Sequence, residues 1–181
     1  MDKSSLDKLI ERSILNDEKA FRIIVEEYQY MIYSLSFRLL CNEEEAKDIV
    51  QETFVRIWLN LSKYNPEMKF STWIYTIATN LCLDKLKSPR KIIYNELSDI
   101  VNTYLFSTDN ADKRLLNNEL GELIVTLTDS LSPKQKVVFT LSCLEELDVD
   151  EIVEITGLTR ENIKSNLFLA KKNIRCKLEK Y

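Results

Sequence analysis

The sequence predicts an all-α fold of two helical domains joined by a flexible linker, the C-terminal domain being a helix-turn-helix. Three observations carry this. Apolar residues recur at three- and four-residue spacing along nearly the whole chain, the period of a helix with one buried face. Only two glycines and three prolines occur in 181 residues, against average usage of about 7% and 5%, so turns are few and helices long. Near the C-terminus a short apolar helix, the turn Gly157-Leu158-Thr159 and a longer basic helix follow one another, which is the helix-turn-helix order.

Each element has its own signals. Asn16 and Asp17 can cap a helix whose stripe is Phe21, Ile24, Val25, Tyr28, Ile32, Leu35 and Leu39. Asn42 with Glu45 three residues on is a capping-box-like start for the next, with Ala46, Ile49, Val50, Phe54, Ile57, Trp58 and Leu61 along one side. The stretch 62–69, which contains Asn65-Pro66, breaks the period and is a loop. Ser71 or Thr72 then caps a helix carrying Ile74, Ile77, Ala78, Leu81 and Leu86, which ends near Ser88 because Pro89 disfavours helical geometry before it. Periodicity fades over 91–113, a stretch rich in Ser, Thr, Asn and Asp, and this is the linker. It separates a domain at 1–90 from one at 114–181. Patterning resumes from Leu115 to Leu127. Ser132-Pro133 starts a helix lined by Val137, Val138 and Leu141, Asp148 with Glu151 caps a short one, and Thr159 caps the last, with Ile163, Leu167, Ala170, Ile174 and Leu178 inward.

Composition excludes several kinds of function. There is no histidine, which removes the commonest general base and the usual nucleophile pairs. The cysteines Cys41, Cys82, Cys143 and Cys176 form no CxxC pair, so they read as reduced, packed thiols rather than zinc ligands. No glycine-rich phosphate loop is present. We expect no catalytic residue, no cofactor, no metal and no small-molecule substrate. A helical carboxylate-metal enzyme would need inward Glu-x-x-His motifs, and these are missing. No apolar run approaches the roughly 18 residues that span a bilayer, and the N-terminus has no apolar signal core. The expected location is cytoplasmic, without direct membrane insertion.

The net charge of −4 hides strong patterning. Glu43, Glu44, Glu45, Asp48 and Glu52 face only Lys47 over 42–52, and six acids crowd 145–154. Lys85, Lys87, Arg90 and Lys91 form one basic cluster, and the final helix carries most of another. In a helix-turn-helix the second helix sends the side chains of its first turns into the major groove. Here these are Arg160, Asn162, Lys164, Ser165 and Asn166; Arg suits guanine and Asn suits adenine. Lys171 and Lys172 further along suit phosphates. A solvated face on an ordinary helical hairpin is the plainer alternative on pattern alone.

Two stretches together resemble the bacterial sigma factor family, of the small extracytoplasmic-function type. The segments EEEAKDIVQETFVRIWLNL and FSTWIYTIATNLCLDKLK resemble its region two. The segment LSPKQKVVFTLSCLEELDVDEIVEITGLTRENIKSNLFLAKKNIRCKL resembles its region four. The resemblance implies a transcription initiation factor that binds core RNA polymerase, directs it to specific promoters and assists strand opening. It also implies sequestration by an anti-sigma factor. Asp48, Gln51 and Glu52 would dock on core polymerase. Tyr64, Asn65, Phe70, Trp73 and Asn80 would meet the minus-ten element, with Lys69, Lys85 and Lys87 on phosphates, although aromatics at the start of a helix more often pack than read bases. Arg160, Asn162, Lys164, Ser165, Asn166, Lys171 and Lys172 would meet the minus-thirty-five element of promoter DNA. Asn166, Phe168 and Leu169 depart from the usual pattern, which implies a weaker or differently specified upstream contact. The rival reading is a stand-alone helix-turn-helix regulator.

Overall fold

The computed structural model describes residues 2–87, 123 and 126–179. Its elements are α1 (Lys3–Ile14), α2 (Glu18–Leu40), α3 (Glu43–Asn60), a 3₁₀ turn (Leu61–Lys63), α4 (Phe70–Lys87), α5 (Pro133–Phe139), a π-helical turn (Thr140–Leu144), α6 (Val149–Thr156) and α7 (Arg160–Leu178). No strand occurs among the described residues. The linker expected at 91–113, and the patterned stretch from Leu115 to Ile124 apart from Leu123, lie outside them.

Caps set the helix starts. Asp17 accepts from the backbone N–H of Lys19 and Ala20, and Asn42 accepts from Glu45 N at 3.0 Å. Ser132 with Gln135 and Asp148 with Glu151 form complete capping boxes. Each cap satisfies N–H groups that a helix start leaves orphaned, typically contributing about 1 kcal/mol. α4 begins two or three residues earlier than expected, at Phe70. Neither Ser71 nor Thr72 caps it, and the carbonyl of Lys69 takes the first helical bond, from Trp73 N. α1 was not anticipated. Asp2 caps it through Ser5 N, and Leu9, Ile10 and Ser13 turn one face onto α2.

With so few glycines, the chain closes two helices differently. Gly157 ends α6 in the left-handed region at φ 66°, but Cys41 ends α2 there at φ 55°. A non-glycine residue pays about 1 kcal/mol or more for that geometry.

The apolar stripes meet as the periodicity predicts. Ile24, Ile32, Leu35, Leu39, Ile49, Phe54, Ile57, Ile74 and Ala78 are fully shut from solvent. One continuous cluster runs from these into Val137, Val138, Leu141, Ile152, Ile155 and Ile163 of the second domain. Leu131, Ala170 and Ile174 form a smaller core under the last helix, with Leu127 and Phe139 against it. Leu178, assigned inward by period, is instead 53% exposed, at the last position of α7. The second domain therefore packs on the first, laying α6 and α5 along α4.

Candidate functional site

Three surfaces carry the predicted residues. The first is the outward side of α3. Its Asn42 cap leaves Glu43, Glu44 and Glu45 in the first turn, where the helix dipole favours negative charge. Lys47 bridges Glu43 and Glu44 at 2.9 Å each, and these carboxylates hold its ammonium above its ordinary pKa. Glu52 pairs with Arg56 at 2.7 Å. Asp48, Gln51 and Glu52 are half-buried on one side of the helix, and Gln51 Oε1 is closed off from solvent without a hydrogen-bond partner.

Lys85 belongs to this surface rather than to the one predicted for it. It reaches from α4 to lie between Glu45 and Asp48, its Nζ 3.7 and 3.9 Å from their carboxylates, with its side chain only 12% exposed. A buried ammonium needs opposite charge beside it, and two adjacent carboxylates provide that. Lys87, also assigned to phosphate, is exposed.

The second surface is the loop 64–69 with the start of α4. Tyr64, Phe70 and Trp73 form an aromatic triangle, with ring centroids 5.0, 5.3 and 5.7 Å apart. Tyr28 closes on Phe70 from α2 at 5.4 Å. Phe70 is 3% exposed, so it holds the loop to the bundle and has no free face for a base. Tyr64 donates its hydroxyl to Met68 O at 2.6 Å, and burial raises that phenol's pKa. Asn65 accepts from Glu67 N at 3.0 Å, while its carbonyl accepts from Met68 N; this shapes the turn around Pro66. Trp73 is half-buried, whereas Asn65, Lys69 and Asn80 are exposed.

The third surface is α7. Ile163, Ala170 and Ile174 face inward, which leaves Arg160, Asn162, Lys164, Ser165, Lys171 and Lys172 exposed. Arg160 is held by Asp150 at 2.5 Å. Asn166 is half-buried and donates to the carbonyl of Asn162 at 2.7 Å, so its amide is partly committed to its own helix. Phe168 is 69% exposed in line with Lys164 and Lys171, and it adds an apolar face to the basic stripe. At the far end Lys177 is tied to Asp129 and to the carbonyl of Thr126, which fixes the helix to its domain.

A fourth constellation joins the domains, and sequence reasoning missed it. Glu145 accepts from Arg38 at 2.6 Å and from the Tyr75 hydroxyl at 2.9 Å. Arg38 also donates to Leu144 O at 2.8 Å. Burial, then the nearby Glu145 charge, drives the Tyr75 phenol's pKa upward, so it stays a donor. Lys69 pairs with Glu151 at 2.7 Å, and Lys136 donates to Cys41 Sγ at 3.6 Å. The only signal in the sequence was the acidic run at 145–154, which gives no partner for itself.

Family models for Sigma-70 region 2 and Sigma-70 region 4 match residues 24–92 and 121–174. The chain is 32% identical over 184 residues to the ECF RNA polymerase sigma factor SigW of Bacillus subtilis, covering 96% of each. It is 29% identical over 178 residues to the ECF RNA polymerase sigma-E factor of Haemophilus influenzae, covering 94% of each. Among solved structures, CnrH in complex with the cytosolic domain of CnrY superposes with a TM-score of 0.68 at 20% identity, over 98% of both chains. At that identity the likeness concerns the fold.

Proposed function

Because the chain belongs to the extracytoplasmic-function type of the sigma-70 family, we propose that it binds core RNA polymerase, directs it to specific promoters and assists strand opening. The observation that carries this reading is the occurrence, in one chain and in family order, of an acidic α3 with the loop and α4 behind it, then a helix-turn-helix with a basic outer face. A stand-alone regulator would share the second part and leave the first without a task.

In this reading the side of α3 bearing Asp48, Gln51 and Glu52 docks on a basic surface of core polymerase. The half-buried Trp73 and the exposed Asn65 and Asn80 meet the minus-ten element as its bases leave the stack, when they can lie on aromatic rings. Lys69 and Lys87 take phosphates. Arg160, Asn162, Lys164, Ser165 and Asn166 address the minus-thirty-five major groove, and Lys171 and Lys172 the flanking backbone. No bond is made or broken by these residues; they position DNA and polymerase, and the chain acts as a non-catalytic factor. An anti-sigma factor is the expected negative partner. Among the described residues no helix is long and apolar enough to cross a membrane, and the factor works where polymerase is, in the cytoplasm.

The test is run-off transcription with purified core polymerase over a genomic promoter library. A defined set of transcripts that requires the chain supports the reading. Selective duplex binding by the chain alone, with no effect on core polymerase, replaces it with the regulator.

A further inference from the structure

We propose that Cys41 and Lys136 form an oxidation site: a hydroperoxide converts the Cys41 thiol to a sulfenic acid, and the Lys136 amine captures it as a covalent sulfur–nitrogen link. The inference stands apart from the proposed function and rests on the geometry of these two side chains.

Lys136 is the unusual member. It is only 9% exposed, and among the described residues the one acceptor bonded to its Nζ is Cys41 Sγ, at 3.6 Å. Burying an ammonium is costly unless opposite charge or strong acceptors surround it, and a thiol sulfur is a weak acceptor. Asp129 feels the charge of Lys136, but its carboxylate is bonded to Lys177. Packing alone therefore does not account for a lysine aimed at a cysteine. Positions that break a local rule in this way are where a site is expected.

Cys41 is presented to that amine. It closes α2 in the left-handed region at φ 55°, with its N–H on Phe37 O at 2.7 Å. A non-glycine residue is held in that region only where its surroundings over-determine it. Its thiol donates to Arg38 O at 3.8 Å, which turns the S–H away and leaves sulfur lone pairs toward Lys136. Cys41 is half-buried, open enough for a small peroxide. The other cysteines differ. Burial pushes the Cys82 thiol up to about 12, and the thiolate is the form that reacts. Among the described residues, no amine is bonded to the sulfur of Cys143 or Cys176.

The chemistry balances. The sulfur attacks one peroxide oxygen, the O–O bond breaks and water leaves; sulfur loses the electron pair that the peroxide gains. Lys136 Nζ, after giving a proton to solvent, attacks that sulfur, and the sulfenic hydroxyl leaves as water with a second proton from nitrogen. One thiol, one ammonium and one hydrogen peroxide thus give one S–N link, two waters and one proton. Sulfenic acids condense with nearby nitrogen in this manner. An amine already in place reacts as an intramolecular partner, and the flexible lysine stem closes the remaining gap.

The experiment treats the full chain with hydrogen peroxide, then catalase, and digests it with trypsin without reductant. The expected product joins residues 39–47 to residues 135–160, uncleaved after Lys136 and lighter by two hydrogens than the two fragments together. A thiol reductant should release it. Cys143→Ser is treated alongside, because residues 135–160 also contain Cys143, and the link should persist there. Lys136→Arg keeps the positive charge but should abolish the link. Labelling of Cys41 by dimedone, which traps sulfenic acid, should then rise at least about fivefold over wild type, since no amine in place competes for it. If circular dichroism finds Lys136→Arg unfolded, Lys136→Met is read by the same criteria; if neither folds, the wild-type and Cys143→Ser products decide alone. The absence of a joined product, its loss in Cys143→Ser, cleavage after Lys136 within it, a bridge that retains oxygen, or equal dimedone labelling in wild type and the folded lysine variant overturns the proposal.

Discussion

Replacing Lys85 by Met tests whether this ammonium serves the fold or the DNA. Two carboxylates lie 3.7 and 3.9 Å from Nζ. At an effective dielectric of about 20, each such contact is worth about 4 kcal/mol before desolvation is charged against it. The lysine side chain is 12% exposed and the carboxylates 38% and 27%, so desolvation and screening offset most of that. A net loss of about 1–2 kcal/mol remains, short of the roughly 3–5 kcal/mol for breaking a fully buried pair. For a chain of this length that is a fall in melting temperature of about 2–8 °C. Holoenzyme binding to forked promoter DNA, titrated with salt, gives the second reading. Lys85→Met should leave the slope of log K against log salt unchanged. Lys87→Met, at the exposed end of the same helix, should reduce it by about 0.7–0.9 per lost phosphate contact. An unchanged melting temperature with a reduced slope for Lys85→Met would refute the structural assignment and return Lys85 to the DNA.

Other expectations follow from the remaining surfaces. Asp48→Arg with Glu52→Arg should abolish co-purification with core polymerase while far-UV circular dichroism stays native, since both lie off the packed stripe of α3, although the melting temperature should fall because Asp48 is one of the two carboxylates beside Lys85. Lys164→Ala should weaken all upstream elements alike, whereas Arg160→Ala should relax preference at one base position and cost about 1–3 kcal/mol there; selection from a randomised upstream element reads both. The thiol of Cys82 is pushed from 9.0 up to about 12 by burial, so its neutral form is favoured in the folded state. That stabilisation is fully present below pH 9 and drains away as pH rises toward 12. Chemical-denaturation curves should therefore show stability falling above pH 9, and Cys82→Ala should flatten the fall.

Local features were legible in the sequence because their causes are local. The caps at Asp17, Asn42, Ser132, Asp148 and Thr159 and the inward stripes of α2 and α3 depend on residues within one or two turns. α1 escaped notice because its buried set is only Leu9, Ile10 and Ser13, diluted among charges on a short segment. The fate of individual polar side chains was less legible. Lys85 and Lys87 are two residues apart and equally basic, yet one turns onto α3 and the other to solvent, and only the packing of α4 on α3 separates them. Phe70 and Trp73 both read as candidate base-stacking rings, but Tyr28 arrives from α2 to enclose the first. The bond from Arg38 to Glu145 joins residues 107 positions apart, and no periodicity encodes such a contact.

The acidic balance of a DNA-binding chain has a physical explanation in where the acids are placed. Glu43 and Glu44 share Lys47, Glu52 is paired with Arg56 and Glu145 with Arg38. Asp148 spends its carboxylate on the α6 cap. Among the described residues, none of these acids is bonded to the outer face of α7, whose Lys164, Lys171 and Lys172 stay exposed. Potential at a surface is set by charges within about a Debye length, roughly 8 Å at physiological salt, so acids already paired elsewhere cost the recognition helix little. The exception is Asp150 on Arg160. That pair lies at the start of α7, where base readout is expected, and its 61% and 62% exposed side chains leave it open to replacement by phosphate. The net charge therefore says little about DNA affinity here, and Asp150, which reaches the start of the recognition helix, holds a cation that DNA can take over.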